Sequence, residues 1–140
     1  MNFMYIHLGL MISVFLISLT AGFIAKFLRK KNWWLKTHKL LNQIKTVLAI
    51  FGFIIAILMV NNYGLNHFST IHGLIGLFVF ILILFQSTAG FIVTNKSLNN
   101  SKILQKGNIL KILRVIHKNS GLIIILLILI NLSIGLSKLF

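Results

Sequence analysis

Four long apolar runs, at about 3–27, 40–60, 69–94 and 115–137, consist almost wholly of Leu, Ile, Val, Phe, Ala and Met. Each reaches the ~20 residues that a helix rising ~1.5 Å per residue needs to cross a bilayer. The fold expected is therefore all-α: a single domain over residues 1–140, an integral membrane up-and-down four-helix bundle. Its helices are predicted at about 3–28, 38–60, 69–94 and 112–137. The connection NKSLNNSKILQKGNILKILR is polar and basic, with a short interfacial helix expected over 103–113. Composition agrees, since 58% apolar residues in 140 is more than one water-soluble core of this size can hide. The first run is too long, and lacks the basic flank, for a cleavable signal peptide.

The net charge of +14 would suit nucleic acid if it were spread along the chain, but it is not. Lys26, Arg29, Lys30, Lys31, Lys36, Lys39 and Lys45 surround the first connection, and Lys96, Lys102, Lys106, Lys111, Arg114 and Lys118 the third. The second connection, NNYGLNHFST, has neither Lys nor Arg, and Lys138 alone belongs to the other side. This asymmetry predicts that the first and third connections face the cytoplasm or its equivalent and that both termini face outward. The cations then meet lipid headgroups, and no nucleic-acid partner is expected. The source membrane, cell membrane or organelle inner membrane, is not distinguished. Cys, Asp and Glu are all absent, which excludes disulfides, thiolate metal sites and carboxylate acid–base chemistry.

Histidine carries what chemistry remains. The stretch HGLIGLFVFILILFQSTAG from His72 returns as HKNSGLIIILLILINLSIG from His117. Both copies have Gly at +4 (Gly76, Gly121), an amide at +14 (Gln86, Asn131) and Gly at +18 (Gly90, Gly135). At 100° per residue these offsets fall within about 40° of the histidine, on one stripe. His38 echoes the spacing with Asn42 at +4 and Gly52 at +14. His7 and His72 begin their helices on the outer side, and His38 and His117 theirs on the inner side. Helices one and three, and two and four, are diagonal in an up-and-down bundle, so each pair can reach one metal at the bundle centre. Two imidazoles make a poor zinc site but suit a low-spin haem b, held non-covalently because there is no CxxCH. Two haem b groups are expected, with His7 and His72 on the outer iron and His38 and His117 on the inner. Gly76 and Gly121 would let the porphyrin approach the backbone, while Gly52, Gln86 and Asn131 pack near the opposite pair's level. Lys26 and Arg114 can neutralise inner propionates, and Tyr63, Asn61 and Asn62 are the outer-side candidates for that task.

These residues also carry a resemblance. HLGLM at His7 with Gly22 and Lys26, WWLKTH ending at His38 with Gln43, HFSTIHGLIG ending at Gly76 with Gln86, and RVIHKNSG with NLSIGL resemble the cytochrome b561 transmembrane family. The likeness covers the core four of the family's usual six helices; a proline usual in the first is missing, and Lys26 stands where arginine is common. It implies dihaem transmembrane electron transfer from an inner reductant, ascorbate or quinol, to an outer acceptor such as ferric iron. It further implies that Lys26 and Arg114 guide the anionic donor and that His67 stands at the outer mouth. Partners are thus a small-molecule donor and acceptor and the lipid bilayer, with a homodimer or a larger respiratory complex as protein alternatives. The rival functions are a haem-bearing anchor subunit of such a complex and a haem-free structural subunit.

Overall fold

A computed structural model describes residues 3–95 and 108–137. Helix α1 spans Phe3–Phe27, α2 Trp34–Asn62, α3 Ile71–Thr94 and α4 Ile109–Leu136. All four are long and apolar enough to cross a membrane. No proline interrupts them, and several hydroxyls return to their own helix: Ser18 Oγ donates to Val14 O, Thr20 Oγ1 to Leu16 O and Thr88 Oγ1 to Leu84 O, while Thr46 Oγ1 and Ser87 Oγ pair across α2 and α3. The α2–α3 turn enters the left-handed region twice, at Gly64 (φ +63°), where glycine adopts it freely, and at Phe68 (φ +56°). Thr70 then caps α3, its Oγ1 accepting from Gly73 N at 3.1 Å, which starts the helix one residue before His72.

Contacts are dense within the α1–α2 and α3–α4 hairpins and sparse between them, along α1–α4 and α2–α3. The helices therefore stand in cyclic order with α1 diagonal to α3 and α2 to α4, as the sequence predicts. The outward faces are apolar, including Leu16, Phe23, Phe51, Phe78, Leu122 and Leu126, and only lipid could solvate so much of them.

Two starts differ from expectation. His38 lies one turn inside α2, because the helix begins at Trp34, and His117 lies two turns inside α4. Residues 109–113, expected as the end of a separate interfacial helix, are helix continuous with the span, so Ile109 to Leu113, with Lys111, belong to α4. The remainder of the expected interfacial helix, with Lys96, Lys102 and Lys106, lies outside the described residues, as does Lys138.

Counted from its histidine, each helix buries the same positions. The +7 residues are Val14, Lys45, Val79 and Ile124, and the +11 residues are Ser18, Ala49, Ile83 and Ile128; all eight are buried. Together with the histidine, +4, +14 and +18, this is the four-and-three stepping of a coiled-coil seam. The +7 and +11 layers form the core. One of the eight is charged: Lys45, counted above with the connection cations, is only 2% exposed in the middle of α2.

Candidate functional site

Each histidine is fixed by its hairpin neighbour. His7 Nδ1 lies 3.0 Å from Gly52 O, His38 Nδ1 3.0 Å from Ala21 O, His72 Nδ1 3.0 Å from Asn131 O and His117 Nδ1 3.1 Å from Gln86 O. A carbonyl only accepts, so Nδ1 is the donor in every ring, which turns Nε2 away from the carbonyl. Every acceptor is the +14 residue of the neighbouring helix, whose own histidine is held in return by the first helix's +14 carbonyl. The antiparallel register thus sets histidine against +14 at both ends of both hairpins. A backbone oxygen holding Nδ1 in this way is a common outer support for histidines that bind metals through Nε2.

Across the diagonals the rings face one another. The His7 and His72 centroids are 6.3 Å apart at 87°, and those of His38 and His117 are 6.2 Å apart at 90°. Metal–imidazole bonds are about 2 Å and a ring nitrogen lies about 1 Å from its centroid, so two imidazoles on opposite sides of one metal place their centroids about 6 Å apart. Both pairs have that spacing. Among the described residues no third His, Cys, Asp or Glu joins either pair. The donor set therefore fits a metal whose remaining ligands come from a macrocycle.

Space for a flat group is present beside the pair at the basic end. A cavity of about 1450 Å³ opens between α1 and α4, and one of about 400 Å³ between α2 and α3. His38, Asn42, Gln86 and His117 line both. Both volumes open onto the His38–His117 pair, one through each of the weakly packed helix gaps. The +18 glycines abut the histidines. A Cβ on Gly90 would stand 2.8 Å from His117 Cε1, and one on Gly135 2.9 Å from His72 Cε1.

The +4 glycines make room for the opposite amides: a Cβ on Gly121 would lie 2.9 Å from Gln86 Nε2, and one on Gly76 3.2 Å from Asn131 Nδ2. In the other hairpin the sizes are exchanged, and Gly52 accommodates Met11. Gly52, Gln86 and Asn131 do sit at the opposite pair's level. The reason for the +14 spacing is the carbonyl, which the side chains did not reveal.

Lys26 and Arg114 are exposed and line the mouth of the larger cavity, where Arg29 and Lys118 join them. Lys26 Nζ also lies 5.2 Å from the Phe27 ring centroid. His67 is exposed in the α2–α3 turn at the other end, its Nε2 donating to Asn61 Oδ1 at 2.7 Å. Tyr63, Asn61 and Asn62 are exposed there too.

Lys45 was the residue sequence reasoning overlooked. Its Nζ donates to Asn42 Oδ1 at 2.8 Å and to Gln86 Oε1 at 3.1 Å, and it lines the larger cavity. The signal was available at +7 from His38, where the other helices carry Val or Ile.

Four apolar helices, with two histidine pairs whose ring centroids lie 6.3 and 6.2 Å apart inside the bundle, define a multi-pass integral membrane protein. The sequence profile of eukaryotic cytochrome b561 matches residues 6–140, all but the first five positions, and the chain belongs to that family. The family is one of membrane cytochromes that bind haem b and carry electrons across the bilayer. No curated protein and no solved structure matches the chain.

Proposed function

We propose that this protein moves single electrons across its membrane through two haem b groups, one held by His7 and His72 and one by His38 and His117. The observation that carries the reading is the fourfold geometry: every Nδ1 is committed to a carbonyl and every ring faces its diagonal partner at metal-spanning distance. Haem held by these four histidines would supply one-electron chemistry, suited to electron transfer and not to oxygen binding. The protein's part is to hold four neutral imidazoles rigidly, to keep apolar side chains around them, and to present cations at one mouth.

The basic end is the cytoplasmic side in this reading, by the positive-inside rule. There Lys26 and Arg114 attract an anionic reductant, such as ascorbate, or pair with propionates. His67, with Tyr63, Asn61 and Asn62, lines the exit to an outer acceptor such as ferric iron. Gly76, Gly121, Gly52, Gln86 and Asn131 shape the helix surfaces that pack beside the macrocycles.

The test is a reduced-minus-oxidised visible spectrum of the purified protein with pyridine haemochrome quantitation. Two low-spin b-type haems per chain are expected. A chain that remains colourless after expression with ample haem would overturn the reading.

A further inference from the structure

The four +7 positions meet midway between the histidine pairs. The pairs are separated by the fourteen-residue register, ~21 Å along the bundle, and +7 lies ~10 Å from either level. Three helices place Val14, Val79 and Ile124 there; α2 places Lys45, as buried as the others. The chain contains no Asp or Glu to balance it. An unbalanced cation in a membrane core is costly, so the position calls for an electrostatic reason.

The direction of the side chain supplies one. Helical side chains lean toward the N-terminus of their own helix, which for α2 is the basic end. Lys45 Nζ accordingly reaches back to Asn42 Oδ1, at +4 from His38, and across to Gln86 Oε1, whose backbone oxygen holds His117. The charge thus sits near the His38–His117 level and far from the His7–His72 level. Its partners are neutral amide oxygens that orient it without cancelling it. The opposite end has no counterpart: Val14, the residue on α1 facing α4, cannot donate, and Asn131 Oδ1 is buried with no hydrogen-bond partner among the described residues.

We propose that Lys45 is an internal counter-ion that makes the basic-end site the higher-potential of the two. Adding one electron there adds one negative charge beside a fixed positive one, and no proton need move. The attraction falls with distance and is strong in a medium of low dielectric, so the terminal-end site feels it less. Lys45 touches no ligand; it acts as a positioning residue for charge.

The inference rests on the two-haem reading, and a redox titration of the purified wild-type protein separates the two. If that reading fails, fewer than two haem waves appear. With two waves present, Lys45→Met should lower one of them by about tenfold in its reduction equilibrium, 59 mV for one electron, and leave the other within threefold. Lys45→Arg should restore the wild-type value, while Lys45→Gln should behave as the methionine variant. Haem-free protein gives a second readout: Lys45→Met should melt no lower than wild type, because an apolar residue replaces a buried charge. Waves that move by less than threefold, or that move together, overturn the inference. So does a methionine variant that fails to assemble, which would make the lysine a packing requirement.

Discussion

The two ends of the bundle share their ligand geometry and differ in almost everything around it. Ring separations of 6.2 and 6.3 Å, near-perpendicular planes and the same histidine-to-+14 bonds recur at both. At the basic end Gln86 Oε1 receives Lys45 and four cations line the cavity mouth. At the terminal end Asn131 Oδ1 has no donor among the described residues, and the exposed turn offers Tyr63, Asn61 and His67. Helix register alone is sufficient to set each histidine against a +14 carbonyl. Charge, which register does not dictate, is what distinguishes the two ends.

The largest effect should come from breaking one end while sparing the other. Replacing His38 or His117 with alanine is expected to remove one haem per chain, and replacing His7 or His72 the other, as read by haemochrome content. If any single replacement removed both, the ends would not be independent sites. Next in size are the glycines behind the ligands. Gly90→Ala presses on His117 and Gly135→Ala on His72, and inserting a methyl into so close a contact typically costs about 1–3 kcal/mol. Each should weaken haem retention at its own end about tenfold or more, measured by haem transfer to an apo-acceptor protein. Equal loss from both ends would mean general loosening of the bundle.

Much of this architecture was legible in the chain before any coordinates, and what was missed has physical causes. Long apolar runs announced the spans, and the positions of His7, His38, His72 and His117 announced the diagonal pairs. The +4, +14 and +18 offsets stood out because Gly, Gln and Asn are conspicuous among Leu and Ile. The +7 and +11 positions did not, since Val14, Val79 and Ile124 look like residues that face lipid. Backbone acceptors are invisible to side-chain reading, so Ala21 O, which holds His38 as well as Gln86 O holds His117, left no mark. Lys45 was concealed by its neighbours: seven basic residues from Lys26 to Lys45 suggested topology for all of them, although one is buried.

Smaller effects sharpen the contrast between a charged mouth and a neutral one. Lys26→Gln and Arg114→Gln should each slow reduction by an ascorbate-like anion several-fold, with a weaker dependence on ionic strength, because steering by surface charge is screened by salt. An uncharged reductant should be unaffected; equal slowing would show that the two cations anchor the helix ends and do not guide the donor. The smallest effect belongs to His67→Ala. Its ring is exposed and hydrogen-bonds Asn61 at the end of α2, so stability should change by no more than about 0.5 kcal/mol. Reduction from the basic end should stay within twofold of wild type, while oxidation by an added ferric chelate slows. A variant whose oxidation is unchanged would remove His67 from the exit path and leave acceptor docking to Tyr63, Asn61 and Asn62.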